Sequence, residues 1–72
     1  MNINAEKAIK TIMQYHATMD TLDKYEYVKI LDREKVECED MINMLDMDDM
    51  DDIKMFSDEL NEINAALELI TE

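Results

Sequence analysis

Ile53, Phe56, Leu60, Ile63, Leu67 and Ile70 recur in alternating steps of three and four without a lapse. An α-helix turns once every 3.6 residues, so this spacing places all six side chains on one stripe. The chain also contains no Gly and no Pro. Tight β-turns and bulges draw on glycine, so a hairpin-rich β architecture is excluded. The expected fold class is all-α.

The same period runs through the rest of the chain. Ala5, Ala8, Ile12, Tyr15, Met19 and Leu22 form a first stripe, widened by Ile9 and Met13 as a core-facing helix requires. Asn4 is the expected N-cap, with Glu6 placed in the first turn. Val28, Leu31, Lys35, Cys38, Ile42 and Leu45 form a middle stripe that Lys35 interrupts. Residues 25–31 are rich in strand formers, yet a lone strand would have no partner, so helix is preferred there. Without glycine the breaks fall to Asp20–Asp23 and to Asp46–Asp52, where Asp tolerates turn geometry and caps the next helix. Asp48 or Asp49 is expected at the start of the third helix.

Three helices of about 20 residues, each roughly 30 Å long, can fold back on one another through short connections. The expected architecture is a single acidic helical domain over residues 1–72, a small antiparallel three-helix bundle or helical hairpin. A homodimer competes with it. One core in so short a chain supplies only about 3–5 kcal/mol, and regular heptads invite a second copy.

Charge separates the segments. Residues 1–22 are net neutral, 23–45 carry −3, and 46–72 carry ten acids against Lys54 alone, −9 of the total −12. Apolar residues still reach 47%, enough to drive folding against that repulsion. Direct nucleic-acid binding is disfavoured because phosphates require a basic stripe. The anionic membrane surface is disfavoured on the same ground, and no apolar run approaches a membrane span. The N-terminus lacks the basic and apolar regions of a signal peptide, and single Cys38 forms no internal disulfide. The expected setting is the reducing cytoplasm.

The catalytic inventory is thin. His16, the one histidine, lies beside the first stripe and is expected to be a partly buried edge residue. Cys38 lies on the second stripe as a small hydrophobe, and its acidic neighbours should raise its pKa, which disfavours a reactive thiol. The Asp46–Asp52 run fails the EF-hand pattern in both frames. Counting from Asp46 puts Ser57 at the twelfth position, and counting from Asp48 puts Ile53 where glycine belongs. The expectation is no enzyme, no metal site and no cofactor.

The remaining signal is a binding surface. Asp48, Asp51, Asp52, Asp58, Glu59 and Glu62 form an acidic track around Met55, with Cβ atoms of i, i+3 and i+4 neighbours roughly 5–6 Å apart. Duplex DNA presents one phosphate per roughly 3.4 Å of axial rise on each strand, a charge density of the same order. Eight methionines supply adaptable apolar contacts among the acids. The expected partner is a protein, a basic nucleic-acid-binding enzyme whose groove the acids enter as a DNA mimic. In size, acidity and helical simplicity the chain resembles the small inhibitors of phages and mobile elements. Those include anti-restriction proteins, anti-CRISPR proteins and uracil-DNA glycosylase inhibitors. The alternative is a helical oligomerisation or adaptor module whose heptad seam is the interaction surface.

Overall fold

The computed structural model describes residues 2–71. It contains three helices, α1 (Ile3–Tyr15), α2 (Thr21–Met44) and α3 (Met50–Thr71), and no strand among the described residues. They pack as an all-α three-helix bundle, with the α2–α3 contact the most extensive. No helix is long and apolar enough to cross a membrane among the described residues. The Tyr25–Leu31 stretch is one continuous piece of α2. Lys29 reaches back one turn to sit 4.8 Å from the Tyr25 ring centroid, the i,i+4 contact that a helix permits.

Caps set the boundaries, and two differ from the sequence expectation. The N-cap of α1 is Asn2, not Asn4: Asn2 is extended, and its side-chain oxygen accepts from the Asn4 N–H at 2.7 Å. Its carbonyl takes the first helical bond, from the Glu6 N–H at 3.1 Å. The first helix also ends at Tyr15, well short of the stripe read as far as Leu22. Thr18 turns the chain there, since both its N–H and its hydroxyl donate to the Tyr15 carbonyl. Asp20 must then be extended to cap α2 through the Asp23 N–H at 2.8 Å, so no helix can run through it. Tyr15 and Leu22 are consequently exposed, while Met19 packs partly against the core.

The second connection behaves as its Asp run implies. Asp49 precedes α3 directly, its carbonyl taking the Ile53 N–H at 2.9 Å. Its carboxylate accepts from the Asp46 N–H at 3.4 Å, which closes the loop on itself. Asp51 and Asp52 then occupy the first turn, where the helix dipole favours negative charge.

The core is narrow. Ile12, Leu31 and Ile63 are its large fully buried side chains, and Ala5, Ala8 and Ala66 let the helices approach closely. Cys38 and Ile70 complete it. On α2 the buried line runs Leu31, Glu34, Cys38, so Lys35 is bypassed and a carboxylate takes its place. Glu34 is only 7% exposed, and it accepts the Asn2 N–H at 3.3 Å, tying the start of α1 to the middle of α2.

That tie also fixes where α1 lies on the hairpin. Its 13 residues span about 20 Å, against roughly 36 Å for α2 and 33 Å for α3. Asn2 bonds Glu34 and shares a recess with Cys38, Met41, Phe56 and Glu59, so the described part of α1 packs along residues 27–41 of α2 and 56–62 of α3. The molecule is accordingly elongated, 43 × 22 × 17 Å.

Candidate functional site

The acidic track comes together on one flank of α3 and the turn before it. Asp48 lies in the turn, and Asp51, Asp52, Asp58 and Glu62 are exposed on the helix. Met55 lies among them at 49% exposure. Met55, Glu59 and Glu62 are separated by four and three residues, so they share one line. That line faces α1, because Glu59 and Glu62 form a groove with Ile9, Lys10 and Met13. Among the described residues Asp48, Asp51, Asp52, Asp58 and Glu62 make no ion pair; the pair formed on the neighbouring helix is exposed Arg33–Glu37, 3.6 Å apart.

Glu59 stands apart from the other acids. It is half-buried, and its Oε2 accepts from the Cys38 Sγ–H at 3.7 Å. Burial, together with the Glu59 and Glu34 carboxylates, pushes the Cys38 thiol up from 9.0 to about 11. The direction matches the sequence reading, but the named carboxylates are on other turns and another helix and not the flanking Glu37 and Glu39. A thiol held protonated at neutral pH is a poor nucleophile. His16 is half-buried just past the end of α1. Among the described residues no three His, Cys, Asp or Glu side chains converge as a metal-binding group.

The sequence places Met55 and other methionines among the acids, but not how many of them stay in solvent. Met41, Met44, Met47, Met50 and Met55 are all exposed, Met47 to 89%, on either side of the turn between α2 and α3. Phe56 and Met41 line a recess with Asn2, Glu37, Cys38 and Glu59. Leu69, which is not one of the six seam residues of α3, packs partly against the core.

So many unpaired acids should make the fold sensitive to screening. We expect the melting temperature to rise by about 5 °C between dilute buffer and moderate salt. A melting temperature that does not move would show the carboxylates to be balanced internally.

Comparison with protein-family models, with curated proteins and with solved structures finds no match.

Proposed function

We propose that the chain is a small acidic protein-binding inhibitor that occupies the basic nucleic-acid-binding groove of an enzyme. The observation that carries this reading is the exposed flank of α3, where Asp51, Asp52, Asp58 and Glu62 stand unpaired among the described residues. Carboxylates presented to solvent at helical spacing attract a partner built to hold phosphates, and they do so over the range of the Debye length. Met55 among them supplies a contact that persists once charge has steered the encounter. A buried, protonated Cys38 supports a binding role over nucleophilic catalysis. An origin in a phage or mobile element, with action in the cytoplasm, belongs to the same proposal.

A second reading, a helical adaptor or oligomerisation module, draws on the exposed methionines of residues 41–55. Ile63, Ala66 and Ile70 are already buried within the chain, so the apolar contact would have to come from these exposed methionines.

Salt separates the two readings. Immobilised protein should retain basic nucleic-acid enzymes from a cell lysate in dilute buffer and release them at high salt. The variant carrying Lys at Asp51, Asp52, Asp58 and Glu62 should retain none. Retention indifferent to salt and to that variant would favour the adaptor.

A further inference from the structure

We propose that Met41, Met44, Met47 and Met50, set around the α2–α3 connection, form a thioether site for a soft monovalent cation, Cu(I). The site does not depend on the identity of the protein partner.

From residue 41 to residue 50 a methionine stands at every third position. The run crosses the end of α2, the connection and the first residue of α3, so no single helical stripe accounts for it. All four side chains stand in solvent, at 41%, 78%, 89% and 72% exposure in chain order, and none belongs to the core. Single exposed apolar residues are ordinary surface, whereas several gathered at one end of a small molecule mark a binding site. Leucine would serve a purely apolar contact as well. What methionine alone adds is a polarizable thioether sulfur, a ligand that selects Cu(I) over harder ions.

Local structure gathers the four. Met41 and Met44 are three positions apart on α2, so they share a flank, with Cβ atoms roughly 5–6 Å apart. Met44 is the last residue of α2, and Leu45 behind it is extended. The Asp49 N–H donates to the Asp46 carbonyl at 2.9 Å, which closes a tight turn with Met47 as its second residue. Met50 then opens α3. The thioethers therefore stand at both ends and at the corner of one short connection, and the three rotatable bonds of each let them close on an ion.

The surrounding charge suits a cation. Asp46, Asp48 and Asp49 are exposed in the same connection and draw positive charge toward it. They do not make a site for calcium or another hard ion, which needs a cage of oxygens. No three His, Cys, Asp or Glu side chains converge in that way among the described residues. Cys38 continues the spacing inward, but it is 3% exposed and its Sγ–H is donated to Glu59 at 3.7 Å, so it serves the core.

The test uses the full chain with 13C-labelled methionine methyl groups and Ag(I), the redox-stable probe for Cu(I), in chloride-free buffer. Ag(I) should shift the methyl signals of Met41, Met44, Met47 and Met50. It should leave Met13 unmoved, although Met13 is 49% exposed. Cu(I) itself, competed against a colorimetric chelator under nitrogen, should bind the variant with Leu at all four positions at least about tenfold more weakly. Leu keeps the size and helix preference of Met and removes only the sulfur, so circular dichroism should not change. Cys38→Ala should retain the methyl shifts. Equal Cu(I) affinity in the four-Leu variant would overturn the site, as would an equal shift at Met13 or displacement of the ion by Ca(II). Loss of the shifts in a Cys38→Ala chain with a native helical spectrum would assign the ion to the thiol and overturn it as well.

Discussion

Ile63→Asp unfolds the protein: its circular dichroism at neutral pH loses most of the helical signal, and the cooperative melt disappears. Ile63 is fully buried, and only Ile12 and Leu31 share that standing among the large side chains of the described residues. The substitution removes about 2–3 kcal/mol of apolar burial and adds the cost of an uncompensated carboxylate in the core. A chain of this size has about 3–5 kcal/mol to lose. Leu60, on the same seam, is only half-buried, so Leu60→Asp should destabilise less and leave a weakened melt. Glu62→Lys, exposed on the flank, should leave the helical signal intact. A native spectrum and melt for Ile63→Asp would mean that the buried line of α3 has been misplaced.

Reversing Asp51, Asp52, Asp58 and Glu62 to Lys abolishes partner binding, with a loss of at least about a hundredfold, while the helices persist. All four are exposed and unpaired among the described residues, so their removal takes no contact from the fold. The change moves the net charge from −12 to −4 and should relieve self-repulsion. Asp51 and Asp52 lie in the first turn of α3, where losing the dipole interaction costs a few tenths of a kcal/mol each. Glu59 is left out deliberately. An ammonium in place of its carboxylate would stand beside Cys38, and any loss of binding could then come from disturbed packing. Circular dichroism checks the fold and titration of the partner checks the binding. Full affinity in the quadruple variant would show the acidic flank to be only a solvated surface.

The helices were legible because their signals are local. Ile63 and Ile70 recur at helical spacing, and Asp20 caps the helix that begins just after it. The middle helix was harder to read. Both Glu34 and Lys35 fit a step from Leu31 to Cys38, and the sequence pattern alone does not choose between them. The choice is tertiary: Glu34 finds the Asn2 N–H, a donor supplied from another helix, and so tolerates burial. The end of α1 was misread for a related reason. Tyr15, Met19 and Leu22 keep the apolar period, but the hydroxyl of Thr18 and the cap at Asp20 outweigh it. Of the acidic track, the spacing gave the alignment. It could not show that Glu59 turns toward Cys38.

The decisive measurement is a competition on an identified partner enzyme, with labelled duplex DNA bound in its groove and this protein added at increasing concentration. The account predicts that DNA leaves in proportion as the complex forms, that dilute buffer favours the exchange, and that the quadruple Lys variant displaces none. A ternary complex holding enzyme, protein and duplex together would contradict it.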